Sequence, residues 1–232
     1  MATPLRLTEE FLLLALDDAT GKPVVDGGRL KLGLAGATVV ELVLEGVLEI
    51  AAAGAADVKP GRLRRTGRVV TDELLSAVAD TAHGRTPKAA LDKIGGSGDW
   101  RGRAGDLRDQ LLRDLAARGV LRYEHHKVLG LFPTTSWPTT DPSVEAEVRT
   151  RLLHALRSDT VPAPRTASLV ALLSAAGLVD KAFREPDRKQ LVARAKRIGA
   201  ADWGGEAVRN AIRDVESALA ATVVVTTVVA TS

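Results

Sequence analysis

The stretch 33–50, GLAGATVVELVLEGVLEI, has a helical period. At 100° per residue Thr38, Glu41 and Glu45 fall on one narrow stripe, and the rest of residues 35–48 is aliphatic, Ala or Gly. A helix that is apolar nearly all round is enclosed by other elements. The pattern therefore predicts a central core helix over 33–50, with Gly36 and Gly46 allowing close approach of neighbouring backbones. Glu41 and Glu45, four apart on one face, repel when both are ionised. They read as a strip at the edge of the core, paired with Arg or Lys from elsewhere, in preference to a catalytic pair.

The other segments follow the same logic. Residues 5–18 form a helix with Thr8 as N-cap and a Leu7–Leu12 staple. Residues 19–32, with Gly21, Pro23, Gly27 and Gly28, form a turn-rich connector. Residues 47–51 end the central helix or begin a strand, and 54–67 is loop. Thr71 caps a helix ending near Gly84, and Thr86-Pro87 starts a short one that stops at Gly95. Residues 104–118 form a helix closed by Gly119. Its apolar face is Leu107, Leu111, Leu112, Leu115 and Ala116, with Arg108 in the middle. A charge there must be paired, bind an anion or snorkel out. VLRYE and KVLGLF bracket His125-His126 and predict a β-hairpin. Val128, Leu129, Leu131 and Phe132 make its second half apolar, so it packs on the core, on another subunit or on a membrane. Asp141 caps a helix with Pro142 in its first turn, running to about Ser158. Residues 166–176 are helical and apolar nearly all round. Residues 184–197 form a basic helix ended by Gly199, and a last helix fades into a Val-rich tail expected to dock on the core.

Composition supports a mostly α fold. The 232-residue chain is 45% hydrophobic but only 3% aromatic, so its core is Leu, Val and Ala. Without repeats or a low-complexity linker, 1–232 reads as one domain. With no Cys, disulfides, thiolate zinc sites and a cysteine nucleophile are excluded. The N-terminus lacks a signal-peptide pattern, and no apolar run reaches the ~20 residues of a membrane span. The expected location is cytoplasmic.

The net charge of +3 is unevenly spread. Residues 1–50 carry four Lys/Arg and eight Asp/Glu, whereas 51–122 carry fourteen and nine. KPGRLRRTGR supplies Lys59, Arg62, Arg64, Arg65 and Arg68. Such segregation suggests an anionic partner, membrane or nucleic acid. Catalytic patterns are lacking: the four histidines have no metal-ligand spacing, GGSGDW is neither a P-loop nor a dinucleotide fingerprint, and there is no G-x-S-x-G elbow. A non-enzymatic binding protein without cofactor or metal is expected. Two schemes fit. In the first, Arg101, Arg103 and Arg108 hold a phosphorylated headgroup beside the apolar hairpin 128–132. In the second, helices 71–83, 86–94 and 104–118 with hairpin 120–132 form a winged-helix DNA reader. Asp106, Asp109 and Asp114 on its third helix face phosphates poorly, so nucleic acid is the disfavoured partner. A protein-tail-binding scaffold is the remaining alternative.

LTEEFLLLALDDATGK followed by GLAGATVVELVLEGVLEI resembles the Golgi phosphoprotein 3 family. GRLRRTGRVV, TDELLSAVAD, LRDQLLRDLAARGVLRYE and SLVALLSAAGLVDKAF extend the match over nearly the whole chain, and the Ala, Gly, Arg and Val bias is similar to actinobacterial members. The resemblance implies helices around a buried central helix with one projecting hairpin. It also implies peripheral membrane binding through phosphatidylinositol 4-phosphate and, in eukaryotes, contact with cytosolic tails of glycosyltransferases. Of the family's headgroup positions Arg108 carries over, while Asp26, Ala35 and Gly105 stand at the others. Arg29, Lys31, Arg101 and Arg103 are the nearby basic substitutes.

Overall fold

The structure, a computed structural model, describes residues 4–95, 103–128, 132–201 and, further on, 208–210, 212–214 and 216–217. Its elements are helices α1 (Leu7–Leu14) and α2 (Gly27–Leu44), strands β1 (Leu48–Ile50) and β2 (Leu63–Arg65), and helices α3 (Glu73–Ala82), α4 (Pro87–Gly95) and α5 (Arg103–Ala117). Strands β3 (Glu124–Val128) and β4 (Phe132–Ser136) follow, then α6 (Pro142–Arg157), α7 (Pro164–Ala175), α8 (Val179–Ala182) and α9 (Arg188–Ala200). Among the described residues the fold is mostly helical, with one core and two small antiparallel sheets. No helix among the described residues is long and apolar enough to cross a membrane.

The enclosed helix is α2, which packs against α1, α3, α4, α5 and α7. It starts and stops six residues earlier than its sequence pattern suggests. Asp26 caps its first turn by accepting from the Arg29 N–H. Gly46, at φ +69°, ends it with a left-handed residue. Residues 48–50 then pair with β2 (Leu48 opposite Arg65, Ile50 opposite Leu63), so the expected loop 54–67 contains a strand. Close approach along α2 occurs at Gly33, where a Cβ would lie 2.3 Å from the Phe11 ring.

All eight residues of α1 are buried, including Thr8, Glu9 and Glu10. Each polar group has a built partner. Thr8 lies inside the helix and is not its cap; its hydroxyl donates to Glu41 Oε2 at 2.6 Å. The Glu41 carboxylate also accepts from the N–H of Leu7 (2.9 Å) and of Thr8 (3.4 Å). An acid of α2 thus satisfies the orphan donors and the positive dipole end of α1. Glu41 is therefore not paired with Arg108, and Glu45 is the exposed C-cap of α2. Glu9 receives Arg118 at 3.0 Å, and Glu10 receives Arg151 at 2.7 Å. Burial raises the Glu41 carboxyl above its usual range, opposed by its bonds to Thr8 and Leu7.

Several boundaries move for local reasons. Asp72, not Thr71, caps α3 through the Leu75 N–H. The basic helix expected over 184–197 forms as α9 (Arg188–Ala200), starting four residues later, and Gly199 lies within it; α8 (Val179–Ala182) is a separate short helix ahead of it. The hairpin is present, but His125 and His126 lie within β3, opposite Thr135 and Thr134, and do not form its turn. Leu121 instead bridges to Thr139 below the hairpin, and Val120 and Leu121 are buried in the core. The VLRYE half is consumed as an anchor and the paired strands shift outward. The expected caps and stops at Pro87, Gly119 and Asp141 occur as read, with Gly119 at φ +74°.

Candidate functional site

The connector between α1 and α2, residues 15–26, is a tight ordered loop. Leu16 bridges Pro23, the Asp17 N–H donates to Lys22 O at 2.9 Å, and Val24 N–H to Ala15 O at 2.9 Å. Asp17 Oδ1 accepts from the N–H (3.0 Å) and hydroxyl (2.9 Å) of Thr20. These bonds hold its carboxyl below the usual range. Gly21, at φ +60°, sits directly on the backbone of Trp137, where a Cβ would come within 2.1 Å. The loop is thereby pressed against the chain leaving β4.

A cleft of about 640 Å³ opens between this connector, α5 and the base of the β3–β4 hairpin. Its cations come from different elements: Lys22 from the connector, Arg108 and Arg113 from α5. Asp109 is the one acidic side chain lining it among the described residues. Tyr123 and Trp137 line the hairpin side, with ring centroids 4.9 Å apart and planes at 65°. Leu16, Leu112 and Ala116 give the floor an apolar component.

Arg108 resolves the conflict posed by its place among leucines. Leu107, Leu111, Leu112 and Leu115 are buried, whereas the Arg108 side chain reaches the rim, 43% exposed. Its Nε and Nη2 donate to Asp109 Oδ1 at 3.0 and 2.8 Å. An exposed pair of this kind is worth at most about 1 kcal/mol. Bidentate guanidinium–phosphate bonds are, as a class, stronger than such an exposed pair.

The other basic residues expected at a site are dispersed. Arg29 pairs with Asp26 at 3.2 Å and does not line the cleft. Arg64 pairs with Glu49 and Asp57, Arg65 with Asp80, and Arg62 donates to Gly84 O, so the basic run around β2 is largely tied up in structural contacts. Arg101, Leu129 and Leu131 lie outside the described residues, as do the side chains of Arg103, Val128 and Phe132. Reading the sequence residue by residue missed Lys22, Arg113, Tyr123 and Trp137. The signal available for Arg113 was the stripe Arg108, Asp109, Leu112, Arg113, Ala116, which is one helical face. Lys22 and the aromatics are brought in only by tertiary folding. Among the described residues no three His, Asp or Glu side chains gather as a metal-ligand set.

Behind the connector, away from the cleft, lies a second polar cluster. Arg149 donates through Nε to Glu145 at 2.9 Å and through Nη2 to Asp18 at 3.2 Å, and it also holds the Ala182 carbonyl at the end of α8. Glu145 is only 4% exposed. Burial pushes its carboxyl up to about 7, opposed by Arg149 and reinforced by the neighbouring Asp18 charge.

The fold is mostly α, arranged around one enclosed axis, with a cation-lined cleft at the foot of a hairpin. Residues 7–215 match the family model described as Golgi phosphoprotein 3 (GPP34), and the chain belongs to that family.

Proposed function

We propose that the protein is a non-enzymatic, peripheral membrane protein whose cleft takes an anionic phosphorylated lipid headgroup, in its family-based form phosphatidylinositol 4-phosphate. The observation that carries the reading is the convergence of Lys22, Arg108 and Arg113 beside the base of the hairpin. The three cations supply phosphate bonds from two directions. The apolar sequence of the hairpin (Val128, Leu129, Leu131, Phe132) offers a group to enter the lipid. Tyr123 and Trp137 suit the interfacial zone, where amphipathic rings favour the boundary between headgroup and water. Cytosolic tails of membrane proteins are a compatible second class of partner, and the hairpin a route to self-association.

Flotation with liposomes containing or lacking phosphatidylinositol 4-phosphate, over a salt series, tests the reading. The expected result is flotation that requires the phosphoinositide, persists at moderate salt and is lost in Arg108→Gln and Lys22→Gln. Equal binding to every anionic liposome, abolished once charges are screened over ~10 Å at about 0.1 M salt, reduces the site to a nonspecific basic surface. No binding to any anionic liposome overturns it.

A further inference from the structure

We infer that the cluster of Glu145, Arg149 and Asp18 positions the cleft from behind, so that the protonation state of Glu145 controls how firmly headgroup is held. The inference rests on the headgroup reading of the cleft. None of the three residues lines that cleft, yet Asp18 belongs to the connector that forms one of its walls, and Arg149 holds it from behind.

The connector has two sides. Leu16, Gly21, Lys22 and Pro23 face the cleft. On the reverse side Asp18 is held by Arg149, Asp17 by Arg184 at 3.4 Å, and the Val24 carbonyl by Lys181 at 3.0 Å. The loop between is braced by its own backbone bonds, so a shift at Asp18 is carried to Lys22 two bonds of the same turn away, Asp17 N–H to Lys22 O being one of them. Asp18 is also stitched forward: its carbonyl accepts from the Thr139 N–H at 3.2 Å, beside Trp137.

Arg149 is one cation shared by two carboxylates. Glu145 from its own helix and Asp18 from the connector both meet it, and the Asp18 charge raises the Glu145 carboxyl. The charged groups in the adjoining groove are Asp17, Lys181, Arg184 and Glu185, and the segment at Thr139 and Pro142 contributes no charge to the cluster. With Glu145 protonated, its hydroxyl donates to Asp18 and Arg149 is left to neutralise Asp18, so the tie is complete. With Glu145 ionised, two adjacent carboxylates share one guanidinium and repel, and the connector is held less firmly. The burial of Glu145 places this exchange near neutrality.

The test is titration of the full chain with soluble inositol 1,4-bisphosphate from about pH 6 to about pH 8, for wild type, Glu145→Gln and Asp18→Asn. The ligand's own ionisation is common to all three, so ratios of Kd isolate the protein's contribution. Wild type is expected to weaken relative to Glu145→Gln by about fivefold as pH rises, a typical coupling between sites. Asp18→Asn, which removes the repelling partner and the tie together, is expected to bind more weakly than Glu145→Gln at low pH with a flat ratio to it. Parallel pH profiles for wild type and Glu145→Gln overturn the inference while leaving the cleft reading intact if Lys22→Gln and Arg108→Gln still abolish binding. Absence of binding by the folded wild type overturns both.

Discussion

Glu41 is the buried acid on which the N-terminal helix depends, and its removal gives the sharpest test of the packing described above. Glu41→Leu keeps an apolar side chain inside α2 but leaves the N–H groups of Leu7 and Thr8 and the Thr8 hydroxyl without an acceptor. Each buried donor left unpaired costs about 1–3 kcal/mol. Against this stands the relief of no longer burying a carboxylate whose ionisation is already opposed by its surroundings. The net expectation is a loss of about 3 kcal/mol, a large share of a stability of about 5–15 kcal/mol. For a chain of this size that lowers Tm by roughly 6–12 °C. Glu41→Gln retains one acceptor but turns an NH₂ toward one of the donors, and is expected to lose about half as much. Urea and thermal unfolding of both variants, with Thr8→Val closing a double-mutant cycle, measure the contact directly. A Glu41→Leu protein within about 0.5 kcal/mol of wild type, or a cycle with no coupling to Thr8, refutes the capping account.

Glu145 holds its proton more tightly when folded (about 7) than its reference value of 4.5. The folded state therefore binds more protons than the unfolded one between those values, and stability falls as pH rises through that window and is flat above it. The loss is about 1–3 kcal/mol, because Arg149 and solvent screen part of it; urea midpoints against pH should show the slope in wild type and not in Glu145→Gln. Gly21→Ala forces a Cβ into the Trp137 backbone at a positive φ and should cost at least about 2 kcal/mol, read by thermal melting, with headgroup binding lost as the connector is displaced. Gly33→Ala presses on the Phe11 ring and should lower stability by about 1–3 kcal/mol; recovery in the double variant Gly33→Ala, Phe11→Leu checks the cause.

Much of the scaffold was legible because it is written in local periodicity. The enclosed character of α2 followed from its lack of a polar face, and the stop at Gly119 and the start at Asp141–Pro142 followed from cap chemistry. Its ends were misplaced because an apolar run reads alike as helix or strand. Only pairing with β2 assigns residues 48–50 to a sheet. Arg108 was found because a charge among leucines breaks a pattern. Its partner is a neighbour in sequence, Asp109, and not an acid of α2, because Glu41 already serves α1. Lys22 and Trp137 carry no local signal at all. They join the site because a glycine allows two backbones to touch, and that is a property of the assembled fold.

The complete burial of α1 has a consequence for the order in which the molecule is made. Its acids find their partners far along the chain: Arg118 for Glu9, and Arg151 and Arg165 for Glu10, while Arg165 also donates to the Leu5 carbonyl just ahead of the helix at 2.7 Å. Until residues beyond 165 have left the ribosome, α1 has no complete shelter for its leucines or its acids. It is thus synthesised before the residues that secure it. During that interval the nascent chain carries an exposed apolar helix, a natural target for holding chaperones.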